Sequence, residues 1–286
     1  PPYIVSEPWA SMYDPEDMEP GTLLEGEFDK MPPQYAKTQE ENPDFSMYQE
    51  EGGNACHGMG SHLVDRDLLK KQMAVYYGMT SFIDKQVGKI LDKLDELGIA
   101  DNTIVIYTTD HGDMCGGHRM MDKHYIMYDD VVKVPLIIRW PEEFKSLDCD
   151  QFVYNFLDLT PTILEMLDLD TEDFFHGRSM IPLLKGEEVD DWRQEIISTY
   201  NGQQFGLYNQ RMIRNREWKY IWNPTDIDEL YNMIEDPNEL DNVIGDEENQ
   251  EIIAELRRKL YNQLLADDDG LVSNPWMKYQ LLENKK

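Results

Sequence analysis

An α/β fold with a mostly parallel sheet, followed by a small antiparallel subdomain, is the class this sequence predicts. Three observations carry the expectation. A long helical period leads into a β-branched run that ends on a charged pair, "TIVIYTTDHGD". A second apolar run, Val134 to Trp140, follows one loop later and stops at Pro141. After about Arg193 the texture changes to short strand-like runs separated by turn residues. Helix, strand, loop, strand is the order of an open sheet flanked by helices, and closely spaced short runs are the order of hairpins.

Residues 1 to 64 show no sustained period and are rich in Pro, Met, Glu and aromatics, with breakers at "EPGTLLEGEF" and "EEGGNACHGMG". They read as an irregular, acidic segment wrapping a surface built elsewhere, and so long a structureless run inside one domain points to missing scaffold. From Asp65 the pattern turns helical. Leu69, Met73, Tyr76, Met79, Ile83, Val87, Ile90, Leu94 and Leu97 recur at three- and four-residue steps. They form one apolar stripe, with Asp65 placed to cap its start and Gly98 its end. Thr103 to Thr108 reads as a buried strand. In open α/β sheets ligands gather beyond the carboxyl ends of strands, where Asp110 falls.

"FLDLTPTILEMLDL" (156–169) predicts a short helix with Asp158 or Thr160 near its start. "EIISTY", "QRMIRN", "WKYIWN" and "DELYNM" predict a small antiparallel sheet, with turns such as Asn215-Arg216-Glu217 between them. A helix from about Glu248 to Leu265 follows, with Ile252, Leu256, Leu260 and Leu264 on one face. The predicted domains are residues 1–193, the α/β part, and 194–286, an α+β subdomain.

Composition narrows the partners. Asp and Glu outnumber Lys and Arg by 57 to 26, a formal charge of −31 over 286 residues. Nucleic acid rewards basic surface and is excluded as a partner; nonspecific attachment to anionic membranes is disfavoured. No apolar stretch approaches the ~20 residues of a membrane span, and the opening residues carry no signal-peptide pattern, so the compartment is unreadable. Cys56, Cys115 and Cys149 are odd in number and widely spaced, neither a disulfide framework nor a zinc cluster. An anionic substrate would have to be held by local cations against this field, so the cations of a pocket carry unusual information.

The chemistry gathers in "TTDHGDMCGGHRMMDKH". Asp110 offers a carboxylate and His111 an imidazole, both able to ligate a divalent cation: Ca²⁺ and Mg²⁺ prefer oxygen, and the imidazole leaves Mn²⁺ open. The same two residues also fit a turn cap and a structural histidine, and spacing alone favours that reading. Lys123, past a Gly-containing loop, can hold an anionic group and stabilise charge on a leaving oxygen, or be a solvated surface lysine. His118 and His124 can donate protons or bind oxyanions, although lone loop histidines are more often structural. Cys115 reads as a small filler, because no base stands at a recognisable spacing.

Taken in order, several stretches resemble the sulfatase family of the alkaline-phosphatase-like superfamily. "YYGMTSFIDKQVGKILDKLDELGIADNTIVIYTTDHGD" is similar to the helix and strand leading into that family's second metal-ligand pair. "GGHRMMDKHYIMYDDVVKVPLIIRWP" resembles the segment with its substrate-anion lysine. "DLTPTILEML", "GRSMIPLLKG", "WKYIWNP" and "DELYNMIEDPNELDNV" resemble its later landmarks. The likeness covers roughly residues 70 to 265 in conserved order.

The resemblance implies an alkaline-phosphatase-like fold, Asp110 and His111 as metal ligands, Lys123 as the sulfate-contacting and catalytic lysine, and His118 as a substrate-side residue. It implies a divalent metal, Ca²⁺ first with Mg²⁺ or Mn²⁺ as alternatives, and a sulfated small molecule or glycan as substrate. It also implies a formylglycine made from a Cys or Ser in a Cys/Ser-x-Pro/Ala-x-Arg motif, and none of the three cysteines stands in that context. Arg119 and His124 depart from the small residues many members carry there. The chain is therefore expected to be the C-terminal part of a sulfatase, with the N-terminal half as its partner, and to be inactive alone. A phosphodiesterase or phosphonate monoester hydrolase of the same superfamily, or a non-catalytic sulfatase-like module, are the alternatives.

Overall fold

Periodicity becomes structure most directly in the long helix, and the computed structural model shows where it begins and ends. The structure describes residues 3–36, 66–123, 126–170, 175–202 and 208–283. In chain order the elements are α1 (Pro33–Ala36), α2 (Arg66–Glu96), β1 (Val105–Thr108), α3 (Asp129–Val132), β2 (Leu136–Arg139), α4 (Asn155–Met166) and α5 (Ile181–Leu184). Then come β3 (Ile196–Asn201), β4 (Asn209–Arg214), β5 (Trp218–Trp222), β6 (Glu229–Asn232), α6 (Gln250–Ala266) and α7 (Pro275–Glu283). α2 stops where the sequence places its cap. Gly98 turns left-handed at φ +64°, its N–H bonds to Asp95 O and that of Ile99 to Leu94 O, the pairing of a Schellman motif. Asp65, expected at the other end, lies outside the described residues.

The chain divides into two compact units that alternate in sequence. The first comprises Pro1–Thr80, Gly112–Val132 and Ile197–Lys286, the second Ser81–His111 and Lys133–Ile196.

In the second unit β1 and β2 pair antiparallel, with Tyr107 opposite Ile137 and Ile106 opposite Ile138. The sequence predicts a parallel relation here. Periodicity identifies a strand without naming its neighbour, and largely parallel sheets commonly carry an antiparallel strand. Ile106, Leu136 and Ile138 face inward and pack with Leu159, Ile163, Met180, Leu183 and Trp192. The opposite face carries Tyr107 and Ile137, both exposed, Ile137 at 59 %. Ile83, Ile90 and Leu97 on the later turns of α2 are exposed as well, although the stripe predicts their burial.

In the first unit the predicted hairpins appear as a four-stranded sheet in the order β3-β4-β5-β6, with β4–β5 and β5–β6 antiparallel. Alternation sends successive side chains to opposite faces. Ile213, Tyr220, Trp222 and Leu230 pack against Ile253, Leu256, Leu260 and Leu264 of α6. Met212, Ile221 and Tyr231 pack the other way, against Met114, Met120, Tyr128, Met31 and Tyr35. α7 has no apolar stripe in the sequence and was not expected. The described part of the irregular N-terminal segment, residues 3–36, holds short 3-10 turns and α1. Two of its residues, Met18 and Tyr13, help to cover Leu69 and Met73 of α2. No helix among the described residues is long and apolar enough to cross a membrane.

Candidate active site

The β-branched run of β1 delivers Asp110 and His111 to the loop that follows it, at the end of a segment of the second unit. Asp110 Oδ1 accepts from the His111 N–H at 3.1 Å and from Thr109 Oγ1 at 3.3 Å. Its Oδ2 lies 3.5 Å from His111 Nε2, with the Asp110 side chain 72 % exposed. Slight burial pushes the Asp110 carboxyl up, but the neighbouring imidazole and the hydrogen bonds to its oxygens outweigh that and leave it lowered. An ionised carboxylate beside an imidazole is the donor chemistry a divalent cation uses. Asp110 Oδ2 and His111 Nε2, 3.5 Å apart, are the two donors that would hold such an ion, and the ion would supply positive charge toward an anionic group. Among the described residues no group of three or more His, Cys, Asp or Glu is placed to hold a metal.

His118 and Lys123 belong to the first unit, on a loop folded tightly upon itself. Asp113 is its hub. Its Oδ1 accepts from the N–H groups of Cys115 (2.8 Å) and Asp122 (3.1 Å), and its Oδ2 from Tyr3 Oη (2.9 Å). Met114 N–H bonds to Asp122 O, Gly116 N–H to Met120 O, and Gly21 N–H to Gly116 O. Cys115, His118, Arg119 and Asp122 all take positive φ. Such strain persists only where the surroundings over-determine it, and it concentrates at functional sites. Lys123 closes the loop half-buried, its N–H bonded to Asp122 Oδ1 at 2.8 Å.

His118 is 2 % exposed. Its Nδ1 lies 2.5 Å from Glu27 Oε1, the other Glu27 oxygen accepts from Leu24 N–H, and the ring stacks on Tyr128 at 4.0 Å and 6°. The sequence reading missed Glu27, which stands in the irregular segment 91 positions away and belongs to no pattern. Burial pushes the Cys115 thiol up to about 12, as suits a filler and not a nucleophile. Arg119 is exposed, and His124 and Cys56 lie outside the described residues.

Comparison with known proteins shows the family. Residues 26–169 match the family model described as Sulfatase, and residues 116–265 match N-sulphoglucosamine sulphohydrolase, C-terminal. The chain is 32 % identical over 209 residues to the uncharacterized sulfatase YidJ of Escherichia coli, covering 72 % of this chain and 40 % of that protein. It is 31 % identical over 182 residues to an N-acetylglucosamine-6-O-sulfatase of Bacteroides thetaiotaomicron, covering 62 % of this chain and 32 % of that one. The crystal structure of a phosphonate monoester hydrolase of Agrobacterium radiobacter matches with a TM-score of 0.74 at 26 % identity, over 92 % of this chain and 55 % of that chain. The chain thus spans less than half the length of these two curated relatives. Its fold is alkaline-phosphatase-like. With two family models each matching about half of its residues, the chain belongs to the sulfatase family.

Proposed function

We propose that this chain supplies the Asp110–His111 metal ligands and the sulfate-contacting Lys123 to a sulfuric ester hydrolase whose remaining site residues lie in an N-terminal half outside this sequence. The observation that carries the reading is the adjacent carboxylate and imidazole just beyond β1, with Asp110 Oδ2 and His111 Nε2 3.5 Å apart. A bound divalent cation, Ca²⁺ before Mg²⁺ or Mn²⁺, would neutralise sulfate oxygens, and a formylglycine from the absent half would be the nucleophile. Asp110 and His111 hold the ion from the protein side. Lys123 presents an ammonium to the sulfo group and stabilises charge on the departing oxygen. His118, expected on the substrate side, is buried against Glu27 and Tyr128. In this reading it props the loop that carries Lys123 rather than touching the ester.

A sulfated glycan is the substrate class, because a relative is named an N-acetylglucosamine-6-O-sulfatase. The exposed face of β1–β2, with Tyr107 opposite Ile137, is the surface the remaining half would cover, since it holds large apolar side chains in solvent. No cysteine of the chain stands in the formylglycine motif and, among the described residues, no third His, Cys, Asp or Glu joins Asp110 and His111; both support a chain that is inactive alone. We retain the division at residue 193 as the boundary of the α+β subdomain.

The likeness to a phosphonate monoester hydrolase supports a second reading, hydrolysis of a phosphonate monoester or phosphate diester. Turnover of an aryl sulfate and of an aryl phosphonate by the full-length protein separates the two. Preference for the sulfate, lost in Asp110→Asn and Lys123→Met, supports the first reading; preference for the phosphonate supports the second. Aryl sulfate turnover by the isolated chain would overturn the two-half account.

A further inference from the structure

We propose that Asn155 is the positioning residue of the Asp110–His111 pair: from the first turn of α4 it fixes the peptide that carries Asp110. The inference rests on the reading of Asp110 and His111 as metal ligands and gives the "DLTPTILEML" and "GRSMIPLLKG" stretches a role in that site.

The geometry lies entirely within the second unit. Asn155 Nδ2 donates to Thr109 O at 2.8 Å, and Asn155 Oδ1 accepts from Thr108 Oγ1 at 2.9 Å. The Thr109 carbonyl, which can only accept, fixes the orientation of the amide, while the one Thr108 hydroxyl proton is shared between Asn155 Oδ1 and Pro135 O. A rotated side chain would set its oxygen against the Thr109 carbonyl, two acceptors facing each other. The Thr109 carbonyl and the Asp110 N–H are parts of one planar peptide. Holding the carbonyl holds the plane, and the plane sets the direction in which Asp110 leaves the strand. Thr108 Oγ1 also lies 2.8 Å from Pro135 O, at the entry to β2, so the hydroxyl sits between the two strands and the helix.

A positioning group must itself be held. The backbone of Asn155 follows Tyr154, whose N–H bonds to Asp158 Oδ2 at 2.6 Å. Asp158 is fully buried. It also accepts from Arg178 N–H at 2.8 Å and from both Nη atoms of Arg193, that from Nη2 at 2.9 Å. The Arg193 guanidinium lies over the Tyr154 and Trp192 rings. Arg193, Asp158, the Tyr154 peptide, Asn155 and Thr109 thus form one chain of contacts ending at the metal-ligand pair. Groups that orient ligands in this way tune affinity for the ion without touching it.

The test uses Asn155→Leu, close in size and uncharged, which keeps a good helix former on α4 while removing both hydrogen bonds. Thr108→Val removes one of them, and Asp110→Asn is the control for the site itself. Mn²⁺ and Ca²⁺ are titrated into the full-length protein, and amide hydrogen exchange is followed at residues 109–112. For Asn155→Leu we expect affinity to fall roughly tenfold to a hundredfold, with faster exchange at Asp110 and His111 and with α4 and β2 amides unchanged. Thr108→Val falls between. Wild-type affinity together with unchanged exchange at Asp110 in Asn155→Leu would overturn the inference. If wild type and Asp110→Asn bind the ions alike, the metal reading fails, and the exchange at Asp110 still decides whether Asn155 sets that peptide.

Discussion

Glu229→Gln should change how the stability of the first unit depends on pH. Glu229 is fully buried on the sheet face that packs on Tyr35 and Tyr128. Its Oε1 accepts from Asn223 Nδ2 (2.8 Å) and Tyr35 Oη (3.3 Å), and its Oε2 from Tyr231 Oη (2.7 Å). Burial pushes its carboxyl up to about 7, with the charge of Glu239 adding to that and the donors opposing it. Because the folded value lies above the unfolded one, the native state binds this proton more tightly. Its contribution is complete below about pH 4.5 and is lost as pH rises through about 7. From an ordinary value of 4.5 to about 7, at ~1.4 kcal/mol per pH unit, the loss amounts to at most about 3 kcal/mol. Glutamine has the same shape and stays neutral, so the variant does not suffer that loss. Urea unfolding of both proteins at matched ionic strength, from about pH 5 to about pH 8, reads the difference. The variant should gain on wild type steadily as pH rises. A gap that stays constant with pH would refute the account.

The remaining predictions concern the loop, the sheet and the open face. Lys219 is 0 % exposed, with its ammonium 2.6 Å from both Asp129 Oδ1 and Glu239 Oε1. Lys219→Met should cost about 3–5 kcal/mol in chemical denaturation near neutral pH. The penalty should shrink as pH falls, because burial already raises the Glu239 carboxyl and the variant removes the cation that opposes this; a penalty that grows in acid counts against the pairing. Gly112→Ala would bring a Cβ to 1.9 Å from Asp130 O, so a thermal melt should reveal a loss of about 1–3 kcal/mol, and an unshifted midpoint contradicts that contact. Ile137→Lys places charge on the exposed face of β2 and should reduce self-association of the isolated chain in sedimentation velocity. Equal association of both proteins would mean that this face is not the sticky one.

What the sequence made legible was local. The stripe along α2 with its Gly98 end, the four short strands of the C-terminal sheet and the apolar face of α6 all rest on signals within a few residues, and all appear. Pairing was not legible in that way. The β1 and β2 runs are visible as strands, but nothing within them says that they pair antiparallel. The exposure of Ile90 shows the same limit, since periodicity marks a face for burial without naming what buries it. The site divides likewise. Asp110, His111 and Lys123 are proposed from ordered resemblance and not from spacing. Their supports Glu27 and Asn155 escaped, because each reaches its partner across dozens of residues. Lys219 ran against expectation, a lysine being among the least often buried residues, and only the three-dimensional pairing with Asp129 and Glu239 accounts for it.

The charge of the chain turns these supports into an argument about chemistry. With 57 acidic and 26 basic residues, an approaching sulfate meets an opposing field. Much of the buried positive charge is committed to folding: Arg193 holds Asp158, Lys219 and Arg214 hold Asp129, Arg211 holds Asp269, and Arg257 holds Asp228. Those cations are paired with carboxylates inside the fold, two of them sharing Asp129, and add little to the potential outside it. Under the proposed reading, attraction for an anionic ester would come from a divalent ion held by Asp110 and His111 together with Lys123, because a bound ion is the largest local charge a site can acquire. The proposal then predicts that the metal serves substrate capture as well as the chemical step. Removing the ion from the full-length protein should therefore weaken binding of a sulfated ligand, read by equilibrium titration in the absence of turnover. Unchanged binding without the ion would mean that cations outside this chain supply the attraction.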